Sequence, residues 1–201
     1  MVYYHNLITD KSWKLLQSLK KNYDFILIGG WAVFLYTKAI KSKDIDIVIE
    51  HEELARLKED LEVTKNDRLK KYEAKSQEID IDIYVPFYSN PGIPAEKLKD
   101  FTVNTEGFRV IKKETLAVLK VKTLEQRAGS VKGRKDLIDL VSLFCLEDFD
   151  WKLFKIAISK YALLEELAQA KEFIKKTTSI EEINLNVHKM ARIKKTILPN
   201  I

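Results

Sequence analysis

The sequence predicts an α/β (α+β) domain built on a small mixed sheet flanked by helices, with a helical C-terminal segment. Three observations lead there. A short apolar run of strand length, Phe25-Ile-Leu-Ile28, and a second strand over 44–49 that opens with two aspartates alternate with stretches whose apolar residues recur at helical spacing. Residues 78–85, Glu-Ile-Asp-Ile-Asp-Ile-Tyr-Val, alternate strictly, the pattern of a strand with one buried face. Beyond residue 150 only helical patterns remain. The 201 residues suffice for one generous domain or a core with a helical addition. We place a core domain at 1–147 and a helical extension at 148–201.

The elements follow in order. Trp13, Leu16 and Leu19 predict a helix over 10–22, with Asp10 or Ser12 as its cap and Asn22 at its end. Trp13 reads as a core anchor. A strand over 24–28 is unbroken in apolar residues and so buried on both faces. Gly29-Gly30 turns it into a helix over 30–39. There Trp31 reads as packing over the sheet edge rather than as a wall for a nucleotide base. A strand over 44–49 and an amphipathic helix over 51–60 come next, with His51 on the surface near the helix start. After the alternating strand, residues 86–105 hold three of the four prolines and read as a surface loop with one helical turn at 94–99. Phe108–Ile111 is strand-like. Helix 114–128 ends at Gly129, and a new helix begins at Gly133. The extension reads as helices over 150–176 and 180–196, capped by Asp150 and Ser179.

Composition narrows the class. Hydrophobic residues at 46% and charged residues at 32% describe a soluble globular chain. The longest apolar stretch, Phe25–Tyr36, cannot span a bilayer, and the N-terminus lacks the form of a signal peptide. Cys145, the only cysteine, excludes a disulfide framework and reads as a buried thiol. These features predict a cytoplasmic protein. A net charge of +5 permits binding to nucleotides or RNA without requiring it. His5, His51 and His188 have no zinc-ligand spacing.

The chemistry concentrates around Gly29-Gly30 and the strand after it. Asp44 and Asp46 are two apart on a strand, so they leave one face at roughly 6–7 Å between Cα atoms. Two such carboxylates can converge on divalent cations. A Gly-Gly turn at a helix N-terminus offers bare N–H groups to phosphate. Glu78, Asp80 and Asp82 line one face of the later strand, where three like charges repel and aspartate is a poor strand former. A cation there would relieve both. Asp80 and Asp82 share this face and the sequence alone does not choose between them, though Asp82 lies deeper in the apolar strand.

The ordered set Gly29-Gly30, helix, Asp44-Ile45-Asp46 resembles the signature of the DNA polymerase β-type nucleotidyltransferase superfamily, and within it the small AbiEii-type proteins. The resemblance covers roughly residues 20–145. It implies the nucleotidyltransferase fold and a Mg2+-dependent enzyme moving a nucleoside monophosphate from an NTP to an acceptor hydroxyl, with release of pyrophosphate. It implies two Mg2+ ions, Mn2+ being an alternative, on Asp44, Asp46 and a third carboxylate, for which Asp82 is favoured and Asp80 is the alternative, with phosphates at Gly29 and Gly30. Ser42 matches a Ser/Thr of the relatives, whereas their Arg four residues before the aspartate is Ile40 here. Lys120 with Arg127, then Lys135-Asp136 with Asp139, resembles their third and fourth motifs. By that match Lys120 meets the phosphates and Asp136 holds the site together, with Lys122 as the alternative lysine. The implied acceptor is a small molecule, a protein or tRNA, and a toxin role would bring a cognate antitoxin. Competing readings are a non-catalytic nucleotide-binding relative and an RNA-binding or interaction module.

Overall fold

The computed structural model describes residues 2–127 and 129–201, with side chains from residue 7 onward. Helix α1 (Val2–Asn22) leads into β1 (Ile26–Ile28), which passes at once into α2 (Gly29–Thr37) and then β2 (Ile45–Val48). After α3 (His51–Asp60) come β3 (Val63–Asn66), β4 (Lys71–Ser76) and β5 (Ile79–Tyr84). A short α4 (Ala95–Leu98) precedes β6 (Thr102–Thr105) and β7 (Phe108–Ile111). The remainder is helical: α5 (Lys113–Gln126), α6 (Val131–Phe144), α7 (Trp151–Lys160), α8 (Leu164–Lys176) and α9 (Val187–Ile197).

The strands form one mixed sheet in the order β3-β4-β5-β2-β1-β7-β6. Its centre is β2, antiparallel to β1 and parallel to β5. This register sets Asp46 opposite Ile28 on one side and opposite Asp82 on the other. Two helices are buried almost all round, α2 through Gly30–Val33 and Leu35, α5 from Glu114 to Val121. A helix without a polar face belongs inside a protein. Trp31 is 1% exposed, donates from Nε1 to Ser12 Oγ at 2.9 Å and lies 4.9 Å from the Trp13 ring, so it is a packing residue as expected.

Several boundaries differ from the sequence reading. Helix α1 begins at Val2, so neither Asp10 nor Ser12 caps it; Ser12 is buried as the acceptor for Trp31. Sequence patterning assigned nothing between 61 and 77, yet β3 and β4 form a hairpin there. Their faces are half-exposed, so no apolar alternation marks them. The segment read as a loop over 86–105 contains β6, an edge strand paired only with β7. Helix α5 ends at Gln126, and the expected end at Ala128 lies outside the described residues. Ser130 caps α6 by accepting from the Gly133 N–H, which starts that helix two residues early. The expected helix over 150–176 is broken after Lys160, where Ala162 takes φ +54° and the Leu163 N–H bonds back to Ile158 O. Burial of Leu163 holds this left-handed stop in place of glycine. Asp150 caps α7 as expected, but Ser179 caps nothing: a short 3-10 turn at Glu181–Ile183 intervenes and Asn186 caps α9. Cys145 is exposed, not buried, because α6 ends there at the surface.

Candidate functional site

The first turn of α2 carries Gly29, Gly30 and Trp31, and the residue before it, Ile28, has no side chain able to cap it. The N–H groups at this end are left for a ligand, at the positive end of the helix dipole. Gly29 has φ +66°, and a Cβ there would lie 2.0 Å from Asp46 Oδ2. The backbone therefore touches the carboxylate, and only glycine fits. A Cβ on Gly30 would lie 2.6 Å from Ser42 Oγ and 2.7 Å from Lys135 Nζ. Lys135 donates to Ser42 Oγ at 2.8 Å, so hydroxyl and ammonium form one side of the cradle.

Asp46 and Asp82 are direct partners on parallel β2 and β5. Burial first, then the Asp82 charge, pushes the Asp46 carboxyl up to about 6, against the opposing pull of Lys120 and Lys135. Asp82 is also held from the other side, where Lys71 Nζ lies 2.6 Å from its Oδ1 and 2.9 Å from Glu73 Oε1. Burial lowers the proton affinity of Lys71, but the bond to Asp82 outweighs it and the net shift is upward. Asp44 faces Lys132 at 3.4 Å. Asp80 is exposed and opposes Lys75 on β4, so the structure sets Asp82 and not Asp80 beside Asp46.

The helical side is built from α5 and α6. Lys120 Nζ lies 2.9 Å from Asp136 Oδ1 and 2.7 Å from Asp139 Oδ2, with all three residues buried. Arg127 reaches Asp136 Oδ2 at 3.4 Å. Burial penalises the Lys120 charge, but the carboxylates of Asp139 and Asp136 outweigh it and hold its proton affinity above the usual lysine range. Asp139 Oδ1 has no hydrogen-bond partner among the described residues. Lys122, the alternative lysine, instead donates to Glu166 on α8 at 2.8 Å.

One narrow cleft is lined by Gly29, Gly30, Ser42, Asp44, Asp46, Asp82, Lys120 and Asp136, so the tertiary structure gathers every favoured candidate. It opens into a wider groove of about 840 Å³ along the β3–β4 hairpin, where Arg68, Lys71, Lys75, Asp80, Arg127 and Lys132 line the walls. Sequence reasoning did not place Lys71 or Lys132 in the site, and it took in Lys135 and Asp139 only as part of the motif match, with no role of their own. The last three carried a signal: with Asp136 they fall at three- and four-residue spacings on one face of α6. Lys71 carried none, since its strand was not visible in the pattern.

No protein-family model matches the chain, and no curated protein matches it in sequence. Solved structures do match in shape. One is JHP933 from Helicobacter pylori, at TM-score 0.54 and 15% identity over 98% of this chain and 90% of that one. Another, from H. pylori and provisionally named a nucleotidyltransferase, matches at TM-score 0.54 and 15% identity over 96% of this chain and 93% of that one. At this identity the likeness is one of fold, and the fold of this chain is nucleotidyltransferase-like.

Proposed function

We propose that the protein is a Mg2+-dependent nucleotidyltransferase of the AbiEii-like kind, transferring a nucleoside monophosphate from an NTP to an acceptor hydroxyl. The observation that carries this reading is the pairing of Asp46 and Asp82 on adjacent strands, with the uncapped glycine end of α2 lying against Asp46.

The donor set fits a hard cation: oxygen ligands only, and a carboxylate whose proton affinity is raised by burial first and by the like charge of Asp82 second, both of which a cation would offset. Among the described residues, though, no three carboxylate, His or Cys side chains are gathered closely enough to hold a metal as they stand. Lysines occupy two of the three aspartates. The Lys132 side chain is 67% exposed and free to leave Asp44, so Asp44 and Asp46 are the residues that would hold Mg2+. When bound, Mg2+ supplies charge stabilisation at the phosphoryl oxygens.

The protein's own groups do the rest. N–H groups of Gly29 and Gly30 hold phosphate oxygens, and Lys135, with Ser42, adds positive charge beside them. Lys120, fixed by Asp136 and Asp139, faces the same cleft. The acceptor enters along the wide groove, and its hydroxyl oxygen attacks the α-phosphorus. The bond to pyrophosphate breaks, and the hydroxyl proton passes to Asp82. An acceptor among RNA, protein or small molecules, and a cognate antitoxin if the activity is toxic, complete the reading.

The test is label transfer from each α-labelled NTP into RNA, protein and small-molecule fractions, with Asp46→Asn as control. Label entering one fraction only with the wild-type chain is expected. Equal transfer by Asp46→Asn would overturn the assignment. A second reading, nucleotide binding without transfer, is favoured by the lysines seated on Asp44 and Asp82. It predicts NTP binding with no label transfer to any fraction.

A further inference from the structure

We propose that Lys71 takes the place of a second divalent ion at Asp82, so that the site carries one ion, on Asp44 and Asp46, and a fixed ammonium on its acceptor side. This rests on the metal-dependent reading above and concerns how many ions the site accepts.

The two lysines on the strand carboxylates differ in kind. Lys132 comes from the first turn of α6, is largely exposed, and stands 3.4 Å from Asp44. Lys71 comes from within the sheet, is 7% exposed, and stands 2.6 Å from Asp82. Its strand is locked to β5 by the pairing of Glu73 with Asp82, which makes Lys71 to Asp82 a diagonal contact across neighbouring strands. Glu73 holds the same ammonium at 2.9 Å, and Asn66 in turn donates to Glu73. The lysine is thus seated by a second carboxylate that itself has a partner. An exposed arm is displaced by a cation at little cost. A buried ammonium between two carboxylates is not, because leaving would strand charge in a desolvated place.

Position agrees with charge. Lys71 lines the wide groove, together with Asp82, where an acceptor would approach. There a second ion would lie between acceptor and third carboxylate. A lysine in that place neutralises Asp82 without a metal. It accounts for the lack of a three-carboxylate cluster among the described residues, although the three aspartates line the same cleft.

The experiment counts Mn2+ bound to the full chain by electron paramagnetic resonance of free and bound ion, with no nucleotide present. Expected stoichiometries are about one Mn2+ for wild type and about two for Lys71→Met, whose Asp82 is released. The double variant Lys71→Met with Asp82→Asn removes both charges together and keeps the strand packing. It is expected to return to about one ion with affinity within about twofold of wild type. Two ions on the wild-type chain would overturn the inference while leaving the metal reading intact. So would a folded Lys71→Met that binds one, or a roughly tenfold loss of affinity in the double variant, which would make Asp82 a ligand of the first ion. No bound Mn2+ on wild type would overturn both readings.

Discussion

Lysines and aspartates make both walls of the cleft, but in opposite electrostatic states. On the helical wall, Lys120 is enclosed by Asp136 and Asp139, all three buried, each charge answered by another. On the strand wall, Asp44, Asp46 and Asp82 are only partly buried, and Asp46 is pressed against the like charge of Asp82. The helical wall holds its geometry before any ligand arrives. The strand wall keeps, at Asp46, a carboxyl stressed by burial and by the Asp82 charge that a ligand could relieve. The difference teaches where stability and function separate: deleting a charge should weaken the fold on the first wall, whereas deleting the Asp46 charge should strengthen the ligand-free fold on the second.

Four variants test this, taken from the largest expected effect. Lys120→Met leaves two buried carboxylates facing each other and should cost about 3–5 kcal/mol in urea unfolding. Unchanged stability would mean that the helical wall is not held by its charges. Gly29→Ala puts a Cβ into the Asp46 carboxylate at a left-handed backbone position, and should lower stability by about 1–3 kcal/mol. Restoration by a second change, Asp46→Ala, would identify the overlap as the cause.

Asp46→Asn should act in the opposite direction. With a native value near 6 against an ordinary 3.8, the folded chain binds more protons than the unfolded chain between these values. Stability from this group is therefore full below about pH 4 and falls as pH rises towards 6. In metal-free buffer at pH 7 the variant should be more stable by about 1–3 kcal/mol, a gain that vanishes near pH 4. Equal Tm at both pH values would break the contrast between the walls. The smallest effect belongs to Lys132→Ala. Its exposed pair with Asp44 should be worth no more than about 1 kcal/mol, and its loss should tighten Mn2+ binding, read by titration.

Much of this site was legible in the chain. The Gly-Gly turn, the Asp44/Asp46 spacing and the alternating strand before Tyr84 are local patterns, and local patterns follow from backbone periodicity. The β3–β4 hairpin was not legible, because its strands are short and half-exposed and leave little hydrophobic signal. With it went Lys71, which meets a carboxylate eleven residues away across a strand pair.

By itself the sequence determined which residue types sit on which local face: carboxylates outward on β2 and β5, glycines at the start of α2, Lys120 on α5. Tertiary structure decided which of them meet. The parallel register of β2 and β5 set Asp82, and not Asp80, beside Asp46. The packing of α5 on α6 enclosed Lys120 between two carboxylates and sent Lys122 to Glu166 on α8. Periodicity fixes a side chain's direction from its own neighbours, whereas register and helix rotation are set by burial shared between segments far apart in the chain.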